Sequence, residues 1–202
     1  TLSLFERASV GGRSGRGGGG GGRGGGRGGP GRSSGSGDAR GGPPPAPVGA
    51  GDVEWVGTVV PVGRGAEGFD VSPNGREAWA ANALDGTISI VDIAAHIVVQ
   101  TLNAELRGAN RLKFTPDGRF VLVTSLTNPD VIVFDVATRA VARRIPVGHG
   151  AAGLLIHPDG RRAYVSCTPD GYVAVVDLST FAVVGRMDAG AEPDGLAWAV
   201  RR

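Results

Sequence analysis

The sequence predicts an all-β fold over residues 53–202, made of a four-stranded unit repeated about three and a half times. The first observation is a turn, Ser-Pro-Asn-Gly-Arg at 72–76, which returns as Thr-Pro-Asp-Gly-Arg at 115–119 and His-Pro-Asp-Gly-Arg at 157–161. The second is an apolar residue followed by aspartate, which recurs at the same offsets of 43 and 42 residues. The third is that helical spacing is nowhere sustained. Four-stranded units at a period of 40-odd residues are typical of β-propeller blades.

Each unit is predicted to contain four antiparallel strands, A to D, with strand A innermost. A turn containing proline and glycine separates strands A and B, because proline presets φ and the glycines Gly75, Gly118 and Gly160 accept positive φ. The C strands include continuous apolar runs, as expected for strands that are packed on both faces. The predicted ranges are 69–72, 112–115, 154–157 and 196–199 for A, 77–81, 120–124 and 162–166 for B, 87–92, 131–135 and 172–177 for C, and 97–102, 141–147 and 182–188 for D.

The predicted domain organisation is a tail followed by an incomplete ring. We expect residues 1–52 to be a disordered segment rich in glycine, arginine and proline. The remaining boundaries are 53–67 for an orphan outer strand, 68–110, 111–152 and 153–194 for three blades, and 195–202 for an orphan inner strand. Because propellers close with about four to eight blades, we expect the C-terminal portion of a larger ring. Its open edges favour self-association.

Charge is divided between the tail and the repeats. Residues 1–50 hold 20 of the 37 glycines and have a net charge of +5, whereas the rest of the chain has −3. The repeats therefore lack the basic surface expected of a nucleic-acid-binding domain. Arg-Gly-Gly triplets in the tail are similar to those of RNA-binding tails, yet Phe5 is its only aromatic residue. RNA binding by the tail, a solvated linker and a misread coding frame stay open as alternatives.

The cysteine count and the hydropathy argue against several other classes of protein. Cys167 is the only cysteine, so neither an intramolecular disulfide nor a cysteine-based metal site can form. The sequence has no run of about 18 apolar residues, so no membrane-spanning helix is predicted. The first ten residues lack the pattern of a signal peptide.

The repeats resemble those of the YVTN-type β-propeller family. Trp-Ala-Ala-Asn at 79–82, Leu-Val-Thr-Ser at 122–125 and Tyr-Val-Ser-Cys at 164–167 stand where that family has its name-giving tetrapeptide. The preceding turn and the following apolar residue and aspartate also match, so the resemblance extends over about residues 57–200. It implies a bacterial or archaeal protein that is secreted, periplasmic or on the cell surface. Relatives of the architecture include lactonases and haem-bearing reductases.

Two columns of loop residues are the candidate binding site. In a propeller the D–A and B–C loops share one face, close to the central channel. Polar groups that converge there would bind an anionic small molecule or a polar loop of a protein partner; ordinary solvated loop polarity is the alternative. The first column is Arg64, Arg107, His149 and Ala191, and the second is Glu67, Asn110, Ala152 and Asp194.

No catalytic constellation is visible in the sequence. The three histidines fall in different parts of the repeat, which argues against a histidine metal site, and no haem-attachment motif is present. Asp92, Asp135 and Asp177 are predicted to cap turns by accepting backbone N–H groups. We therefore predict a non-enzymatic binding module without metal or cofactor. The alternatives are a propeller enzyme whose active site lies in other blades, and RNA binding through the tail.

Overall fold

The structure is a computed structural model that describes residues 1–7 and 55–199. These residues form strands and no helices, so no helix among them could cross a membrane. The strands are β1 (Leu2–Arg7), β2 (Trp55–Val60), β3 (Ala66–Val71), β4 (Glu77–Asn82), β5 (Thr87–Asp92), β6 (Ile97–Asn103), β7 (Ala109–Phe114), β8 (Phe120–Ser125), β9 (Asp130–Asp135), β10 (Ala140–Pro146), β11 (Ala151–Ile156), β12 (Arg162–Cys167), β13 (Tyr172–Asp177) and β14 (Ala182–Asp188).

Twelve of these strands form three antiparallel sheets, each with its four strands in sequence order. The sheets are β3 to β6, β7 to β10 and β11 to β14. The first strands of successive sheets meet, since β3 contacts β7 and β7 contacts β11. The prediction of an all-β partial propeller with four-stranded antiparallel blades is confirmed.

The core lies between neighbouring sheets. Between the first and second sheets, Trp79 and Ile90 pack against Leu112 and Phe114. The second and third sheets share a similar core, which includes Leu122. Strands second and third in each sheet are buried along most of their length, whereas the fourth strands are largely exposed. This burial explains the continuous apolar runs of the inner strands.

Strand β1 corrects the predicted domain organisation. The expectation of a disordered segment over residues 1–52 is wrong for Leu2–Arg7, which pair with Trp55–Val60 in a two-stranded sheet. The outer strand expected within residues 53–67 is therefore not an orphan. Residues 1–6, Thr-Leu-Ser-Leu-Phe-Glu, have the alternation of the C strand at 87–92, Thr-Ile-Ser-Ile-Val-Asp. This match escapes a search for a fixed period because residues 8–54, outside the described residues, separate the two strands.

The inner strand expected over residues 195–202 is not formed by the described residues 195–199, which have no strand partner. A first strand of this fold is held by hydrogen bonds to a second strand, and the described residues contain none beyond β14. Residues 1–5 and the described residues from 57 to 199 belong to one compact unit, which contains the three sheets. The other unit, residues 6–56, is described only at residues 6, 7, 55 and 56.

Candidate functional site

The second column lines a single cavity. Glu67, Asn110, Ala152 and Asp194 all border a space of about 520 Å³ where the innermost strands begin. They come from four successive repeats, so the structure brings together residues that are about 42 positions apart in the sequence. Further lining residues are Arg111, Leu126, Gly150, Thr168, Pro169 and Glu192.

An irregularity in each first strand places the column at the cavity. The pairing of first and second strands shifts register between Ala66 and Phe69, between Ala109 and Leu112, and between Ala151 and Gly153. The column residue lies inside each shifted interval. A β-bulge releases a residue from the ladder and redirects its side chain. The same backbone feature therefore presents Glu67, Asn110 and Ala152 to the cavity.

Asn110 joins two of the sheets. Its side chain is almost completely buried, and Nδ2 donates a hydrogen bond of 2.8 Å to the Ala152 carbonyl oxygen of the next sheet. Its Oδ1 accepts a hydrogen bond of 2.9 Å from the Arg111 guanidinium, which also donates to the Asn110 carbonyl. Asn110 therefore fixes the wall of the cavity and holds the Arg111 guanidinium beside it.

The segment that carries Asp194 is held by its backbone. Ser166 Oγ donates a hydrogen bond of 2.6 Å to the Asp194 carbonyl oxygen, and Thr168 Oγ1 donates one of 2.7 Å to the Pro193 carbonyl oxygen. In the described part of the chain, no hydrogen-bond or ion-pair partner is found for the carboxylates of Glu67, Glu192 and Asp194. The described lining of the cavity therefore combines three acidic residues without such partners with one arginine, Arg111.

Arg111 and Glu192 were missed from the sequence. Arg111 directly follows Asn110, and Glu192 lies two positions before Asp194. Glu192 has a positive φ of 55°, which marks a sharp loop that the sequence pattern alone does not reveal. A search for charged residues on either side of the column would have found both.

Two residues of the first column have a different role, because they bind the D–A loops to aspartates of the B–C turns. The Arg64 backbone N–H donates to Asp85 Oδ2 and its Nε donates to Oδ1, both at 2.7 Å. The third sheet repeats this arrangement, since the His149 N–H donates to Asp170 Oδ2 at 2.8 Å and Nδ1 lies 3.2 Å from Oδ1. Each aspartate lies in the B–C turn of the sheet that follows the loop. Arg64 and His149 therefore hold the D–A loop against that turn.

Arg107 and Ala191 complete the first column, and neither lines the cavity of the second column. The Arg107 guanidinium donates 2.8 Å to the Leu84 carbonyl oxygen, and the Arg107 carbonyl accepts from Ser125 and Thr127 hydroxyls. Arg107 borders a separate space of about 390 Å³ beside Asp85. Ala191 is exposed in the loop after β14. The structure thus separates the two columns, and only the second one converges.

The aspartates of these loop contacts have lowered pKa values. The backbone N–H of His149 is the main group that lowers the pKa of Asp170, and the backbone N–H of Arg64 has this effect on Asp85. The turn carboxylates behave alike: Thr138 lowers the pKa of Asp135, and Ser179 lowers that of Asp177. In each case hydrogen bonds to the ionised form hold the pKa below its ordinary value of 3.8.

Acidification is therefore expected to destabilise the fold. A carboxyl group whose pKa is lower in the folded state stabilises that state above its unfolded pKa, and the stabilisation is lost as the pH falls through the folded value. The loss should set in below about pH 4, measurable as the free energy of unfolding in urea at a series of pH values. Asp170→Asn should lose less stability than the unchanged chain over that interval. Equal losses would contradict a contribution from Asp170.

The three aspartates that were predicted to cap turns accept hydrogen bonds from backbone N–H groups of those turns. Oδ1 of Asp92, Asp135 and Asp177 accepts backbone N–H groups three residues later, at 2.8, 2.8 and 3.1 Å. In the turn between the first and second strands of each sheet, the predicted glycines adopt the positive φ that such turns require. Their φ values are 71° for Gly75, 70° for Gly118 and 71° for Gly160.

Histidine and cysteine side chains lie apart from the cavity. His157 Nδ1 is 2.7 Å from Asp159 Oδ1, and its ring contacts the Trp198 ring edge-on with centroids 4.2 Å apart. Cys167 is buried, and this burial raises the pKa of its thiol. Within residues 1–7 and 55–199, no group of three histidine, cysteine or acidic side chains is arranged to hold a metal ion.

Fold and site together define a partial β-propeller with an acidic cavity where its innermost strands begin. No family model matches the chain, and no curated protein matches it. Among solved structures, the chain is similar to hydrazine synthase of Kuenenia stuttgartiensis, with a TM-score of 0.62 and 24% sequence identity. The match covers 68% of this chain and 40% of that one, so the chain spans well under half of that protein's length. At this identity the likeness shows the fold alone.

Proposed function

We propose that this partial propeller is a non-enzymatic module that binds a ligand or a protein partner at the second-column cavity. The observation that carries the proposal is that Glu67, Asn110, Ala152 and Asp194 line one space of about 520 Å³. Its size is in the range of small-molecule sites. Rigid sheets beneath variable loops are a common basis for such recognition.

The charge of the cavity favours a cationic group. The described residues that line the cavity include three acidic ones, Glu67, Glu192 and Asp194, and one arginine, Arg111. The guanidinium is already engaged by Asn110, which leaves the carboxylates as the available charged groups. The ligand we propose therefore carries an amine or guanidinium, either as a small molecule or as a basic side chain on a partner's loop. The anionic ligand considered from the sequence is the competing outcome.

The proposal also concerns the ring to which these sheets belong. We propose that the chain forms an arc of a larger propeller of the YVTN type. The 42- to 43-residue repeat and the resemblance of its second strands to the family's tetrapeptide support this relationship. In a larger ring the cavity would be one sector of a central channel, and further blades would add residues to it.

Titration calorimetry with spermidine tests the proposed charge preference. Saturable binding is expected, weakened at least tenfold by Glu67→Gln combined with Asp194→Asn, because both carboxylates line the cavity. Glu105→Gln is the matched control, since Glu105 is an exposed acidic residue outside this cavity. Citrate should not bind. Binding of citrate by the unchanged chain, or equal spermidine affinity in all variants, would contradict the proposal.

A further inference from the structure

A second cavity lies between the first and second sheets, at the turns where their first strands end. It has a volume of about 520 Å³, which is in the range of small-molecule sites. It is lined by the turn after β3, by the turn after β7 and by Val136, which follows β9. Both walls belong to sheets that have all four strands, and no lining residue is shared with the cavity of the proposed function.

The equivalent place between the second and third sheets is occupied by aromatic side chains. There the rings of Phe120 and Phe181 meet edge-on, with centroids 5.1 Å apart, and the Arg119 guanidinium lies 5.2 Å from the centroid of the Phe120 ring. The repeat equates Phe120 with Glu77 and Phe181 with Arg139. The interface between the first and second sheets therefore has an ion pair where the next interface has two rings.

Glu77 borders the cavity, but both of its carboxylate oxygens are engaged. Oε1 accepts a hydrogen bond of 2.7 Å from the Arg139 guanidinium, and Oε2 accepts one of 2.9 Å from Trp79 Nε1. The same guanidinium donates to Gln100 Oε1. Glu77 is therefore a fixed part of the wall, and its charge is already paired with that of Arg139.

Two opposite charges and an amide remain available in the cavity. Arg76 is exposed, and within residues 1–7 and 55–199 its guanidinium has no hydrogen-bond or ion-pair partner. Asp117 Oδ1 accepts the Arg119 N–H at 3.0 Å, whereas Oδ2 has no partner among the same residues. Asn74 Oδ1 accepts the Arg76 N–H at 3.0 Å, which leaves Asn74 Nδ2 to donate to a ligand. The cavity therefore offers a cationic donor, a neutral donor and an anionic acceptor.

We propose that this cavity binds a small zwitterion that has both a carboxylate and an ammonium group, of the ω-amino acid type. The Arg76 guanidinium and Asn74 Nδ2 donate to the carboxylate, because a guanidinium presents paired N–H groups that match carboxylate oxygens. Asp117 Oδ2 accepts an N–H of the ammonium group. A simple anion is repelled by Asp117 and a simple cation by Arg76, so the ligand needs both charges.

A nuclear magnetic resonance titration of the full chain tests the proposal, with glycine, 4-aminobutyrate and 6-aminohexanoate as probes. At least one probe is expected to shift the signals of the Asn74 side-chain amide and of the turns at 72–76 and 115–119 in a saturable way. Butyrate and butylamine, which carry one charge each, should bind at least tenfold more weakly as measured by these same signals.

Substitutions within the turns identify the groups that bind the probe. Arg76→Gln and Asp117→Asn should each weaken binding at least fivefold. The second substitution keeps the turn, because asparagine already stands at the equivalent place in the first sheet, at Asn74. Arg161→Gln is the matched control and should leave binding unchanged, since Arg161 ends the same turn of the third sheet and lies outside the cavity.

The combined substitutions Glu67→Gln and Asp194→Asn distinguish this cavity from that of the proposed function. The shifts at 72–76 and 115–119 should persist in that variant, whereas their loss would overturn the proposal. No saturable shift for any probe up to about 10 mM, equal affinity for butyrate or butylamine, or unchanged binding by both Arg76→Gln and Asp117→Asn would overturn it as well.

Discussion

Trp79→Ala is expected to lower the free energy of unfolding by about 3–5 kcal/mol, the range for truncating a buried aromatic side chain. Trp79 is fully buried and packs edge-on against Phe114 of the next sheet. Its Nε1 donates a hydrogen bond of 2.9 Å to Glu77, whose other carboxylate oxygen pairs with Arg139 of the second sheet at 2.7 Å. The substitution therefore removes core volume and leaves this link between two sheets incomplete. Chemical denaturation followed by circular dichroism measures the loss.

Trp198→Ala is the matched control for this experiment. Trp198 is 47% exposed and contacts His157 at one edge, so the same substitution should cost roughly 1 kcal/mol or less. Trp79→Phe should recover part of the loss, because it keeps an aromatic ring beside Phe114 but loses the hydrogen bond to Glu77 and part of the buried indole volume. A similar loss for Trp79→Ala and Trp198→Ala would show that the inter-sheet core does not depend on Trp79.

Gly153→Ala is the second substitution with a large expected effect. A methyl group at Gly153 would lie 2.6 Å from Ser166 Oγ and in closer conflict with the Asp194 carbonyl oxygen. The Ser166 hydroxyl donates to that same carbonyl, so the added group must displace the segment at 193–194. We expect a loss of about 1–3 kcal/mol in the free energy of unfolding, typical of overpacking. Because Asp194 lines the cavity, spermidine binding should weaken as well.

Gly185→Ala provides the comparison. A methyl group there would have the Val175 side chain as its nearest neighbour, at 4.0 Å, which is ordinary contact. Its stability and spermidine affinity should match those of the unchanged chain. If Gly153→Ala also unfolds at the same denaturant concentration as the unchanged chain, the close approach of the Asp194 backbone does not constrain this position.

The sequence is informative about the sheets because their signals are local and repeated. The turn at 72–76 and its two copies need proline and glycine at fixed places, and the apolar runs between them reflect burial on both faces. The capping aspartates, such as Asp135, also follow from short-range hydrogen bonding. Strand β1 escaped detection because its partner β2 lies across residues 8–54, which interrupt the period.

The sequence itself determined the repeat register, the four strands of each unit and the alignment of the second column, which is Glu67, Asn110, Ala152 and Asp194. Tertiary structure decided which aligned residues share a site. Arg64 and His149 are held by aspartates of neighbouring turns, whereas the second column opens on one cavity. Repeat spacing gives equivalent positions, but the direction of a side chain depends on register shifts and on contacts between sheets. Those contacts join residues about 42 positions apart, as in the hydrogen bond from Asn110 to Ala152.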